Sequence, residues 1–95
     1  MTITADEREL IARWIVPDER GPQEAWVREH GVSAWALIGY WKGVDRDTGA
    51  TAQAYDLPPE AVEAMLALYR YFGAYIDAKL LLNEASDEDL LSIFR

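Results

Sequence analysis

Trp35-Ala-Leu-Ile-Gly-Tyr-Trp41, then Tyr55-Asp-Leu-Pro58, then Ala61-Val-Glu-Ala64 is the stretch whose reading decides the fold. In the first run Trp35, Leu37, Ile38 and Trp41 fall on one side of a helix that Gly43 stops. Asp45-Arg-Asp-Thr-Gly49 is a polar turn, with Asp47 or Thr48 as the next N-cap. A short helix over about residues 49–55 then carries Ala52 and Tyr55 inward. Asp56-Leu57 bends the chain, and Pro58-Pro59 suits the first turn of a new helix, where a missing N–H costs nothing. In that helix Val62, Met65, Leu66, Tyr69, Phe72 and Ile76 recur at three and four, which predicts a long, half-buried element broken at residues 83–86. Two helices joined by a tight turn are the outline of a helix-turn-helix. A three-helix bundle in which the turn merely joins packed helices has the same outline, because binary pattern fixes packing and not DNA contact.

Outward from this core, Thr4-Ala-Asp-Glu7 reads as a capping box ahead of Leu10, Ile11, Trp14 and Ile15, giving an N-terminal helix over about residues 5–15. Pro17-Asp-Glu-Arg-Gly21-Pro22 is a loop. Residues 23–33 fit either one helical turn or a short strand ended by Gly31, which leaves room for an N-terminal β-hairpin. Ser86-Asp-Glu-Asp89 caps a last short helix over 86–95 bearing Leu90, Leu91, Ile93 and Phe94. The reading is one mainly α domain over 1–95: a small helical bundle with a homeodomain-like helix-turn-helix core at 33–80.

Composition narrows the function. With 51% apolar residues, four Trp and five Tyr, the chain can build a core and is not disordered as a whole. The absence of cysteine removes disulfides and thiolate zinc sites. No stretch resembles a secretory signal, and the longest apolar helix is interrupted by Glu63, Arg70, Asp77 and Lys79, so a cytoplasmic protein with no membrane partner is expected. Net charge is −8, and only residues 61–80 are balanced. Since phosphate contacts by cations supply most non-specific DNA affinity, an acidic domain starts at a disadvantage on DNA, whereas basic proteins suit it.

Candidate site residues follow from the outline. A DNA-reading version would place Pro59, Glu60 and Glu63 at the major groove, with Thr51 and Gln53 on the preceding helix and Lys42 and Arg46 nearby. Two acids beside two prolines offer few donors. Tyr71 and Tyr75, in an aromatic run with only Arg70 and Lys42 as cations, fit core packing and a homodimer interface better than base stacking. Leu90, Leu91, Phe94 and Arg95 belong to a segment that either folds back on the core or docks in a partner's groove. His30 is the only histidine and lacks a paired base or co-ligands, and the acidic runs at 45–47 and 87–89 suit caps better than calcium loops. No catalytic residue, metal site or cofactor is expected, and an enzyme is the least favoured class.

Val32-Ser-Ala-Trp-Ala-Leu-Ile-Gly39, Ala54-Tyr-Asp-Leu-Pro58, Ala61-Val-Glu-Ala64 and Tyr75-Ile-Asp-Ala78 together resemble the family catalogued as domain of unknown function 433, over roughly residues 26–80. The resemblance implies a homeodomain-like helix-turn-helix core and an antitoxin role, often beside a small PIN-like nuclease toxin. Many members carry a Gly-Thr-Arg-Ile-type strand before the first Trp-containing helix, where this chain has His30-Gly-Val-Ser-Ala34. The expected function is therefore a regulatory binding module that masks a toxin protein. A weak or partner-dependent DNA-binding regulator and an adaptor homodimer are the alternatives.

Overall fold

The computed structural model describes residues 3–84. Its elements are helix α1 (Ala5–Trp14), strand β1 (Ile15–Val16), a 3-10 turn (Pro22–Glu24), strand β2 (Trp26–Val27) and helices α2 (Ala34–Gly43), α3 (Thr48–Ala54) and α4 (Pro59–Glu84). The molecule is a small helical bundle with an N-terminal β-hairpin.

The capping box opens α1 as the sequence requires: the Thr4 hydroxyl accepts from the Glu7 N–H at 3.1 Å, and the Glu7 carboxylate accepts from the Thr4 N–H at 3.4 Å. The helix ends one residue early because Ile15 turns extended and pairs antiparallel with Val27, as Val16 does with Trp26. The ambiguous stretch 23–33 thus resolves into a 3-10 turn and a strand. Its far side also folds back: Val27 N–H reaches the Val32 carbonyl at 2.9 Å and Ala34 N–H the Ala25 carbonyl at 2.7 Å. Gly31, at φ +72°, takes the left-handed conformation this reversal needs.

The two turns of the core have one design. At the end of α3, Leu57 N–H bonds the Ala52 carbonyl at 2.8 Å and Asp56 N–H the Gln53 carbonyl at 3.2 Å. That is a Schellman motif, with Asp56 left-handed at φ +54° where glycine is usual and Leu57 and Ala52 both buried. At the end of α2, Arg46 N–H bonds the Trp41 carbonyl at 2.8 Å, and Asp45 and Arg46 both have positive φ. Helix α2 thus stops at Gly43, as the sequence predicts. Gly43 is the last helical residue, and the left-handed pair after it turns the chain. Asp47 then caps α3 by accepting from Ala50 N–H at 2.9 Å.

Helix α4 is the element against which the other three helices pack. Val62, Met65 and Ile76 from α4 meet Leu37 and Ile38 from α2 and Val27 from β2, all inaccessible to solvent. Each such side chain contributes about 1.5–3 kcal/mol relative to an exposed one. The long helix is not continuous, however. Phe72 leaves helical geometry at φ −121°, ψ 25°, just ahead of Gly73, so α4 is two segments joined by a kink. Beyond the kink α2 and α4 approach closely: a Cβ on Gly39 would lie 2.8 Å from a Leu80 methyl.

Candidate interaction surfaces

Two surfaces were anticipated from the sequence, and the fold treats them differently. Around the α3–α4 turn, Gln53, Pro59, Glu60 and Glu63 are exposed. Every charged residue from Thr48 to Glu63 is exposed and acidic: Asp56, Glu60 and Glu63. Acids in the first turn of α4 have a structural reason to be there, since they complement the helix N-terminus. Glu60 also braces α4 to α1, accepting from the Trp14 indole N–H at 3.2 Å and from Arg13 at 3.4 Å.

The other anticipated DNA contacts are occupied elsewhere. Thr51 is fully buried, with its hydroxyl donating to the Asp47 carbonyl at 2.9 Å. The Lys42 ammonium sits 2.7 Å from the Asp77 carboxylate, which also accepts from the Tyr69 hydroxyl at 2.8 Å. The same ammonium lies 5.1 Å from the centre of the Tyr69 ring. Through the hydrogen bond between them, Lys42 is held above its ordinary pKa and Asp77 below its own. The group thus pins the end of α2 to the second segment of α4. Arg46 stacks over Trp41, 5.6 Å from its ring centre.

On α4, Tyr71 and Tyr75 do not share a role. Tyr71 is half-buried and donates its hydroxyl to the Glu7 carboxylate, which Arg70 also meets at 2.9 Å. The Tyr71 hydroxyl is the chief cause that lowers the Glu7 pKa, and Glu7 in turn raises that of Tyr71. Tyr71 therefore links α1 to α4. Tyr75, by contrast, is 58% exposed. It belongs to a strip with Ala74, Ala78, Leu81 and Leu82, whose three- and four-residue spacing puts them on one face. All five are exposed, with Leu81 at 59% and Leu82 at 45%. Sequence reasoning missed the two leucines because it read α4 as one amphipathic helix. The available signal was that residues 73–82 are apolar nearly all round, a pattern that belongs to a covered helix.

Leu90, Leu91, Phe94 and Arg95 lie outside the described residues. His30 is exposed in the turn before α2, its Nδ1 3.0 Å from the Arg28 carbonyl. Among the described residues, no group of three or more His, Asp or Glu side chains stands together as a metal site, and no helix is long and apolar enough to cross a membrane. No protein-family model, curated protein or solved structure matches this chain.

Proposed function

We propose that this chain is a non-catalytic regulatory binding module of antitoxin type, acting in the cytoplasm as a homodimer that masks a basic partner such as a PIN-like nuclease. The observation that carries the reading is the apolar strip of Ala74, Tyr75, Ala78, Leu81 and Leu82 on the outside of α4. A helix that is apolar on both its packed and its outward sides gains by being covered. The two alanines permit close approach of another helix while the larger side chains flank it, which suits pairing of one α4 with another. The net charge of −8 favours a basic partner on the remaining surface. The resemblance to the domain of unknown function 433 family supplies the antitoxin reading.

Co-expression with the product of the adjacent gene, followed by pull-down and nuclease assay, tests the masking role. The expected result is a co-purifying complex with suppressed nuclease activity; absence of both complex and inhibition refutes it.

The succession of α3, a four-residue turn and α4 favours a second reading, a transcription regulator that gains its cations from a bound partner. It predicts retardation of the chain's own promoter fragment only in the complex, with affinity falling steeply as salt rises. No retardation at low salt, with or without the partner, excludes it.

A further inference from the structure

Helix α1, the hairpin loop and the kink of α4 line an open cleft of about 600 Å³, to which no residue of either surface contributes. That volume falls within the range of small-molecule sites. Ile11 and Ile15 line it from one side, Leu68 and Phe72 from the other, so its floor is apolar. Phe72 is also the residue whose backbone breaks the helix.

The polar groups around this floor are not those of the rest of the molecule. In a chain with net charge −8, two arginines, Arg8 and Arg28, are among the residues that line the cleft. Arg28 is held in place by donating to backbone carbonyls at the end of α1, Arg13 at 3.3 Å and Ala12 at 3.4 Å, and among the described residues it forms no ion pair. Arg8 precedes Ala12 by four residues, about 6 Å along the same helix face. Among the described residues Arg8 forms no ion pair. The one acid in the lining, Asp18, is engaged by Arg20 at 2.8 Å and 3.0 Å.

From this juxtaposition we infer that the cleft binds a small amphipathic acid, a medium-chain carboxylate whose tail lies against Ile11, Ile15, Leu68 and Phe72 and whose head meets Arg8 and Arg28. Apolar burial supplies affinity, and the two guanidiniums select an anion over a neutral head. The cleft shares no lining residue with the α4 strip, although Phe72 meets the Tyr75 ring edge-on at 6.4 Å, and the inference does not rest on the masking role.

The test titrates the full chain with octanoate, decanoate and decanol while following the isoleucine and leucine methyl resonances. Decanoate is expected to shift Ile11, Ile15 and Leu68 saturably. Two added methylenes should raise affinity roughly tenfold over octanoate. Decanol should bind about tenfold more weakly than decanoate, and Arg8→Gln should remove most of that difference while leaving decanol binding unchanged. Ala12→Trp, which fills the cleft, should abolish both. The inference is overturned by equal affinity for acid and alcohol, by an unchanged preference in Arg8→Gln, by no saturable binding, or by shifts confined to Leu81 and Leu82. Because Arg8 is exposed, its substitution leaves the fold intact and keeps the test decisive even if Ala12→Trp does not fold.

Discussion

The two segments of α4 are similarly apolar in sequence and opposite in fate. Before the kink, Ala61, Val62, Ala64, Met65, Ala67 and Leu68 are all buried, because α1, α2 and α3 close around them. After it, only Ile76 is fully buried, and Tyr75, Leu81 and Leu82 stand in solvent. An apolar side chain thus marks a surface that gains from cover without naming what covers it. In the first segment the cover is the same chain. In the second, no other described residue covers the strip.

The strongest way to break this comparison is to delete one apolar side chain from each segment. Met65→Ala should cost about 2–5 kcal/mol by leaving a cavity, a fall in Tm on the order of 10–30 °C for a domain of this size. Leu81→Ala should cost within about 0.5 kcal/mol of monomer stability, because its side chain is already hydrated. Denaturant titration of both reads the difference, and equal costs would mean that the second segment is as enclosed as the first.

A second experiment asks what covers the strip. Tyr75→Glu combined with Leu82→Glu should halve the solution mass, by light scattering, while leaving the far-ultraviolet spectrum unchanged. Unaltered mass removes the strip from any self-association.

The polar tether between the segments and the rest of the bundle should be weaker. Asp77→Asn is expected to cost less than about 1 kcal/mol at neutral pH, since the Lys42–Asp77 pair is substantially exposed. Its pH dependence has a definite sign. The folded pKa of Asp77 is depressed, so its stabilisation is complete above the unfolded value of about 3.9 and is lost as pH falls through the folded one. Lys42 is raised, so its share is lost only as pH climbs through a folded value above 10.5. The Tm difference between wild type and variant should therefore shrink at both acidic and strongly alkaline pH; a constant difference would assign the effect to packing.

The smallest effect belongs to the turn that feeds α4. Asp56→Gly should be stabilising, by about 0.5–1 kcal/mol, since glycine adopts the left-handed conformation without a Cβ penalty. A loss of stability would show that the Asp56 carboxylate is needed in the turn.

These contrasts separate what was readable from what was not. The capping box at Thr4, an N-cap at Asp47 or Thr48, and the inward positions of Ala52, Val62 and Met65 follow from local chemistry and period. The Asp56-Leu57 turn was equally legible, although its Schellman bonds were not. The kink at Phe72 was illegible, because Val62 to Ile76 keep a regular period straight through it. So was the use of Lys42 to hold Asp77, thirty-five residues away in sequence.

By itself, then, the amino-acid order determined that α1, α2, α3 and α4 coil, that Thr4 caps the first of them and that the α3–α4 corner is anionic, since each depends on neighbours a few residues apart. Only tertiary structure decided that Thr51 is core, that Tyr71 is a strut while Tyr75 is exposed, and that two arginines flank an apolar cleft. Burial is a property of what a side chain faces across space, and no spacing along one helix specifies that.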